Sequence, residues 1–210
     1  CFWKIAQANT GELAGRITKI KNETKNGRGL FDEFRGSLKE NLSDFDRALR
    51  FFILNRITFS GTVDSGGYSE LAYHSRFTHS SINRLRLLEP VLQNVKITNL
   101  DYRDVIQEPG NDVFVFLDPP YLVATKSRLY GKNGDLHLGF DHKKFAGDMK
   151  NCQHPWLITY DDSAEIRQNF SYANLYEWEL QYGMNNYKQN NAAKGKELFI
   201  TNYPSKEPLT

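Results

Sequence analysis

The sequence predicts an α/β fold with a mainly parallel sheet, to which a small helical lobe is attached. In the second half of the chain, short apolar runs typical of buried strands alternate with stretches of helical periodicity, which is the pattern of βαβ units. The first half is helical in its periodicity and is basic. The 210 residues suffice for one large domain, or for a core domain with an appendage.

The helical part is predicted from apolar residues that recur at the helical period, with serine or threonine at the starts. The predicted elements are a helix at 2–25, a glycine-containing loop with a short helix at 26–42, a helix at 44–58 capped by Ser43, a turn-rich segment at 60–77 and a helix at 78–94 capped by Thr78.

The α/β part is predicted from apolar runs rich in β-branched and aromatic residues, separated by helical or glycine-rich stretches. The predicted elements are strands at 95–98, 113–117, 156–160, 175–180 and 197–202, a long loop at 122–140, and helices at 141–151 and 163–169, the latter capped by Asp162.

The composition is that of an ordinary globular protein, with 40% hydrophobic and 25% charged residues. No run approaches the roughly 18 apolar residues of a membrane span. Cys1 and Cys152 are too few for a disulfide framework and favour a reducing, cytoplasmic setting. No second Cys/His pair accompanies Cys152 and His154 at finger-like spacing, so no metal site is predicted. A net charge of +2 is only weak support for a polyanionic partner.

The most informative stretch is 113–121, in which five apolar residues run into Asp118, Pro119, Pro120 and Tyr121. Ligands of open α/β sheets bind beyond the carboxyl ends of the strands, where Asp118 is expected. The prolines lack an N–H and fix φ, so the sheet ladder stops and the chain leaves in a stiff, extended form. The stretch thus presents a carboxylate, a free carbonyl and an aromatic ring in a rigid array.

This set suits a planar ring that carries an exocyclic amino group. Asp118 and the Pro119 carbonyl can accept its two N–H bonds, and Tyr121 can stack on it, worth roughly 1–3 kcal/mol per base. Accepting both bonds favours a tetrahedral nitrogen whose lone pair points at an electrophile, here a methyl group on a sulfonium. The alternative is an Asp-Pro turn after a core strand, with Tyr121 as packing.

At these residues the chain resembles the DNA adenine-N6 methyltransferases of the Dam-like (D12) class. The tetrapeptide 118–121 matches the catalytic motif of that family, and three further stretches match it in the same order. They are Leu-Asn-Arg-Ile-Thr-Phe-Ser-Gly at 54–61, Ile-Thr-Asn-Leu-Asp-Tyr at 97–102 and Lys-Glu-Leu-Phe-Ile-Thr-Asn-Tyr at 196–203. Ser60 stands where the family usually has asparagine.

The resemblance implies a Rossmann-like, S-adenosylmethionine-dependent methyltransferase core with a small helical DNA-recognition lobe. It assigns 1–9 and 81–210 to the core and 10–80 to the lobe. The implied reaction is methyl transfer from S-adenosylmethionine to N6 of an adenine that is flipped out of double-stranded DNA at a specific site, as in restriction-modification. A prokaryotic or phage-encoded cytoplasmic enzyme is expected.

The resemblance also implies roles for single residues beside the catalytic Asp118 to Tyr121. Asp101 and Tyr102, together with Asp118, are expected to bind the cofactor. The alternative for the first two is a helix cap and a core side chain. Asn55 and Arg56 are expected to contact DNA, whereas the alternative for Arg56 is a role at the negative end of a helix dipole.

Further DNA contacts are expected from Arg76, for which surface solvation is the alternative. They are also expected from the polar, aromatic and basic loop that includes Asn185 and Lys188. Flipping a base requires side chains that stabilise the gap, although a plain hairpin loop remains the alternative here.

Two stretches of the family do not occur in this sequence: a Pro-Phe-x-Gly-Gly-Lys opening and a Phe-x-Gly-x-Gly loop, which hold much of the cofactor. We therefore expect an N-terminal segment, either missing or on another chain, to complete the cofactor site, and weak cofactor binding by these residues alone. Two other functions stay open: an RNA methyltransferase acting on a guanine amino group, and a non-catalytic DNA-binding remnant.

Overall fold

The computed structural model describes residues 1–37, 41–122, 139–180 and 195–205. The chain divides into two compact units, Cys1–Thr98 and Asn99–Thr210, which we call the helical unit and the α/β unit. None of the described helices combines the length and the apolar character needed to cross a membrane.

The helical unit consists of short helices. Its elements are α1 (Phe2–Ala8), α2 (Thr10–Glu23), α3 (Gly27–Gly36), α4 (Asp44–Ile57), a 3₁₀ turn (Phe59–Gly61), α5 (Glu70–Arg76), α6 (His79–Arg86) and α7 (Leu88–Leu92). Side chains cap the starts of α3, α4, α5 and α6. Ser43 and Thr78 each accept a hydrogen bond from the backbone N–H three residues on, which confirms both predicted caps.

Helix α4 contributes the largest buried face of the helical unit, which includes the fully buried Ile53 and Ile57. Ala6 of α1 and Ile82 of α6 belong to the same core. The compact unit therefore extends beyond 10–80 on both sides, because α1 and α6 bury apolar side chains in it. The predicted division into 1–9, 10–80 and 81–210 does not coincide with these packing units.

The α/β unit contains a four-stranded sheet in the order β1-β2-β4-β3. Its elements are α8 (Tyr102–Ile106), β1 (Val115–Leu117), α9 (His142–Lys150), β2 (Trp156–Asp161), α10 (Ala164–Asn169), β3 (Asn174–Leu180) and β4 (Gly195–Thr201). Strands β1 and β2 are parallel, whereas β4 is antiparallel to both β2 and β3.

The α/β class is confirmed, but the described strands form a mixed sheet rather than a mainly parallel one. Parallel neighbours require a crossover, usually a helix, and α9 lies between β1 and β2 in the chain. Strands β3 and β4 follow one another among the described strands and pair directly in an antiparallel arrangement.

One face of this sheet forms the core, and the other carries the polar residues of interest. Ile158, Tyr160 and Leu198 are fully buried on the core face, together with side chains of α9 and α10. Because side chains alternate along a strand, Thr159 and Glu197 lie on the opposite face.

Several local predictions were wrong. The turn-rich segment predicted at 60–77 contains helix α5 (Glu70–Arg76), and the helix predicted at 78–94 is divided into α6 and α7 at Leu87. Residues 95–98 form no strand, and within the described ranges no strand pairs with them. The helix predicted at 2–25 is interrupted at Asn9, whose φ and ψ are −139° and 37°. Ser163, and not Asp162, caps α10, because the Asp162 carboxylate is engaged by the guanidinium of Arg167 at 2.6 Å.

Candidate active site

Asp118 directly follows β1 and lies on the sheet face opposite the core. Leu117 packs against the core, whereas Phe116 is 62% exposed and Asp118, two residues later, is exposed as well. The parallel register pairs Leu117 with Ile158, which brings the next residue, Thr159, level with Asp118. The Thr159 hydroxyl donates to Oδ1 of Asp118 at 2.8 Å.

Pro119 and Pro120 carry the chain off the end of β1, and both are partly buried. Among the residues that the structure describes, none donates a hydrogen bond to the Pro119 carbonyl oxygen. Tyr121 is also partly buried, and its ring centroid lies 6.1 Å from that of Tyr160. The Tyr121 hydroxyl donates to Oε2 of Glu197 at 3.2 Å.

Asp161 holds the backbone that follows the tetrapeptide. Its Oδ1 accepts a hydrogen bond from the N–H of Leu122 at 2.6 Å. Its Oδ2 is buried and has no partner among the described residues. We call the tetrapeptide together with Leu122 (residues 118–122) the tetrapeptide loop. This loop is held at three points, because the side chains of Thr159, Glu197 and Asp161 each form a hydrogen bond with one of its residues.

Three acidic side chains, Asp118, Asp161 and Glu197, lie close to one another in the site. Asp161 on β2 and Glu197 on β4 face each other in the antiparallel register, where like charges are unfavourable. Burial raises the pKa of the Glu197 carboxyl, and the charges of Asp118 and Asp161 raise it further, although the bond from Tyr121 opposes this. Burial raises the pKa of the Tyr121 phenol to about 12, with the charges of Glu197 and Asp118 adding to the rise and a hydrogen bond with Thr159 opposing it, so the phenol is a protonated donor at neutral pH.

Tyr160, whose ring packs against Tyr121, forms a polar pair with His142. Nδ1 of His142 lies 2.6 Å from the Tyr160 hydroxyl, and both residues are buried. Burial lowers the pKa of His142, against the opposing charges of Asp161, Glu165 and Asp141. Nε2 of His142 is buried without a partner among the described residues, so the neutral imidazole is the favoured form.

The two further residues predicted at the cofactor have local partners. Asp101 caps α8, with Oδ1 accepting from the N–H of Arg103 at 3.0 Å, and its pKa is lowered to about 2 by hydrogen bonds from Arg103. The Tyr102 hydroxyl donates to Asp148 at 2.7 Å, and its ring packs edge-on against Phe145 at 5.1 Å. The structure thus shows the cap and the core contact, and a cofactor contact of either residue stays a prediction.

Two of the residues that were predicted to contact DNA form hydrogen bonds with the backbone of the turn after α4. Nδ2 of Asn55 donates to the Gly61 carbonyl at 3.0 Å, and the Arg76 guanidinium donates to the Thr58 carbonyl. Ser60 within this turn has φ of 51°, in the left-handed region that asparagine enters more readily than most residues. The backbone therefore gives a reason for the asparagine that is usual at this position.

Arg56 differs from its neighbours. Its guanidinium carbon lies 5.4 Å from the centroid of the Phe52 ring, and its Nε is buried with no partner among the described residues. The other two predicted DNA contacts, Asn185 and Lys188, lie outside the described residues.

Thr159, Asp161 and Glu197 were missed in the sequence, although each is bonded to the tetrapeptide loop. A signal was present for two of them. Asp161 ends an apolar run and Glu197 begins one, so both acids occur where a strand meets an edge of the sheet.

A carboxylate, an available carbonyl and an aromatic ring, fixed beyond the end of a strand in an α/β fold, characterise an enzyme that methylates exocyclic amino groups. The chain belongs to the D12 class of N6 adenine-specific DNA methyltransferases, whose family model matches residues 1–184. It is also similar to the type II methyltransferase M1.LlaDCHI of Lactococcus lactis subsp. cremoris, with 21% identity over 213 residues, which cover 93% of this chain and 72% of the relative. Adenine N6 in DNA is therefore the methyl acceptor, rather than a guanine amino group in RNA.

Proposed function

We propose that the tetrapeptide loop receives an adenine flipped out of double-stranded DNA. Asp118 and the Pro119 carbonyl accept the two N6 hydrogens, while Tyr121 stacks on the ring. The observation that carries this proposal is the three-point attachment of the loop by Thr159, Asp161 and Glu197. A rigidly placed acceptor can supply several kcal/mol of the barrier reduction, because orientation is fixed before the reaction.

Each group has a separate task in this scheme. Asp118 accepts one N6 hydrogen, and its carboxylate takes the proton that N6 must lose once the transferred methyl group becomes the fourth substituent on the nitrogen. Thr159 keeps Oδ1 of Asp118 in place at 2.8 Å. Tyr121 remains protonated, because its pKa is raised, and its bond to Glu197 fixes the plane of the ring.

S-adenosylmethionine, which methyltransferases generally use, supplies a methyl group on a positively charged sulfur. The residues present suit such a cationic donor, since Asp118, Asp161 and Glu197 place negative charge on one face of the sheet. Oδ2 of Asp161 is a buried carboxylate oxygen without a partner in the described ranges. We propose Asp118, with Asp101 and Tyr102, as the residues that hold this donor.

We further propose that the α/β unit is a Rossmann-like methyltransferase core and that the helical unit, including the predicted lobe at 10–80, recognises DNA. Asn55, Arg56 and Arg76 are the proposed contacts within it, and Asn185 and Lys188 are proposed from the sequence alone. The similarity to a type II methyltransferase supports a role in restriction-modification, in a cytoplasmic setting.

The test replaces Asp118 by Ala and by Asn and follows tritiated methyl incorporation into DNA. We expect Asp118→Ala to abolish transfer while DNA binding, measured by fluorescence anisotropy, survives. Asp118→Asn keeps the shape and one acceptor oxygen but loses the charge, so residual transfer is expected. Asp32→Ala, which removes an exposed carboxylate from α3, serves as the matched control.

Three outcomes separate the alternatives. Retained methylation by Asp118→Ala would refute the assigned role of the carboxylate. Loss of transfer in the Asp32→Ala control would show that the effect is not specific to the site. DNA binding by the unaltered protein without any methyl incorporation, even at an S-adenosylmethionine concentration that overcomes weak cofactor binding, would support the non-catalytic remnant instead.

A further inference from the structure

A cavity of about 340 Å³ opens within the helical unit, and both aromatic and polar side chains line it. The aromatic lining includes Phe2, Phe51 and Phe52, and the polar lining includes Asn55, Arg56 and Arg84. We call this the arginine cavity. Its volume lies within the range of roughly 300–1,000 Å³ that is typical of small-molecule sites.

The arginines near this cavity are not neutralised by described acidic groups. Burial lowers the pKa of Arg56, and the positive charges of Arg76 and Arg84 lower it further. Arg76 donates to the Thr58 carbonyl and Arg84 donates to the Ser80 hydroxyl, both of which are neutral acceptors.

Arg50 and Arg56, both on α4, differ in whether their buried guanidinium groups are paired with an acidic side chain. Arg50, 7% exposed, donates to Oδ1 of Asp64 at 2.7 Å, so its buried charge is paired. Arg56, six residues later on α4, has a buried Nε without a partner in the described part of the chain. A buried guanidinium donor is expensive to leave unsatisfied, so this arrangement favours an anion.

We infer that the arginine cavity binds a phosphoryl group of a nucleotide, whose planar base or sugar packs on the aromatic rings of the lining. Guanidinium groups bind phosphate oxygens with two parallel hydrogen bonds, and aromatic rings stack on bases without regard to sequence. The ring centroids of Phe2 and Phe51 lie 4.9 Å apart, so the two rings are in contact. They line the same cavity as the guanidinium groups of Arg56 and Arg84.

The phosphoryl group belongs to the DNA strand, which makes this cavity an anchor for the backbone near the target. This inference rests on DNA as the substrate, as proposed above, but it concerns affinity and not the chemical step. A free nucleotide presents the same chemistry, and the experiment separates the two sources.

The principal variant is Arg84→Gln, because Arg84 is exposed and its replacement leaves the core of the helical unit intact. Arg56→Gln is the second variant. Arg47→Gln is the matched control, since Arg47 is an exposed arginine of the same helix α4 that donates to the Leu42 carbonyl and does not line the cavity. Thermal unfolding verifies that all three variants remain folded.

DNA affinity is measured by fluorescence anisotropy between about 50 and 200 mM salt. For Arg84→Gln and Arg56→Gln we expect a roughly tenfold increase in Kd and a decrease of about one in the slope of log Kd against log salt, as for the loss of one phosphate contact. Arg47→Gln is expected to change Kd by less than about twofold and to leave the salt slope unchanged. Methyl transfer at saturating DNA is expected to persist in Arg84→Gln, which distinguishes this failure from that of Asp118→Ala.

The second arm uses adenosine monophosphate and inorganic phosphate as probes of Trp3 fluorescence, because Trp3 also lines the cavity. Quenching by the nucleotide that is lost in Arg84→Gln, with unchanged DNA affinity, would support the phosphoryl site and assign it to a free nucleotide. If Arg84→Gln and Arg56→Gln match the control in DNA affinity and salt slope, and neither probe alters Trp3 fluorescence, the inference is overturned.

Discussion

Replacing Thr159 by Val removes the hydroxyl that donates to Oδ1 of Asp118 at 2.8 Å and keeps the branched shape of the side chain. Thr159 is 8% exposed, so it acts on the substrate through the residues that it contacts rather than directly. The same hydroxyl also interacts with the Tyr121 phenol, where it opposes the rise in pKa that burial causes. The substitution therefore loosens two members of the tetrapeptide loop without touching the base.

The magnitude follows from the charge of the acceptor. A hydrogen bond to a charged group contributes about 1.5–3 kcal/mol. Asp118 is exposed, so water replaces part of the lost bond, and the lower end of this range applies. Since about 1.4 kcal/mol corresponds to a factor of ten in rate, we expect kcat to fall about tenfold with an unchanged KM for DNA.

The assay is tritiated methyl incorporation under steady-state conditions, with kcat and KM for DNA determined separately. Thr159→Ser, which keeps the hydroxyl, is expected to restore most of the rate. Thr18→Val is the control, because its hydroxyl donates to the Ala14 carbonyl within α2 of the helical unit. A kcat within about twofold of the unaltered protein, or an equal loss in the control, would show that Thr159 does not position Asp118.

The remaining predictions concern stability, and urea denaturation measures each free energy of unfolding. Burial raises the folded-state pKa of Glu197 above its ordinary 4.5, so its contribution is present below that pH and is lost as pH rises. Glu197→Gln, whose amide oxygen still accepts from Tyr121, is therefore expected to gain stability relative to the unaltered protein as pH rises, and a pH-independent difference would contradict this. His142 has the opposite sign, because burial lowers its pKa below 6.5, so stability is lost as pH falls through that range. His142→Gln is expected to flatten this loss, and an unchanged slope at acidic pH would remove His142 as its source. Ile53→Ala is expected to destabilise the protein by about 2–5 kcal/mol, because Ile53 is fully buried in the helical core, and a loss below about 1 kcal/mol would mean that the core closes around the gap. Ser60→Asn is expected to stabilise by a few tenths of a kcal/mol, because Ser60 has a positive φ, and a lower stability would show that the serine makes a contact that asparagine loses.

The parts of the site that could be predicted are those whose position depends only on residues nearby in the sequence. An apolar run that ends in Asp118 and two prolines locates the end of a strand whatever the rest of the chain does. Thr159 and Glu197 could not be assigned in this way, because their positions relative to the tetrapeptide loop depend on strand register. Their hydrogen-bond partners lie 41 and 76 residues away in the chain.

The errors in the fold have a similar origin. Alternating strands and helices predicted a mainly parallel sheet, but β3 and β4 follow one another among the described strands and pair directly in an antiparallel arrangement. Val95 to Thr98 has a strand-like composition, but it pairs with no strand in the described ranges, and Val95 is 44% exposed. Composition indicates what a segment can form, whereas tertiary partners determine what it does form.

The attachment of Tyr121 to Glu197 also bears on how the enzyme becomes active during folding. The tetrapeptide directly follows β1, yet one of the three side chains that hold its loop is on β4, which comes last in the chain among the described strands. Contacts between distant parts of a chain form late, because a long loop must close before they stabilise anything. In refolding experiments, helical signal should therefore return before methyl transfer, and a nascent chain halted before residue 195 would carry its catalytic sequence without a fixed tyrosine.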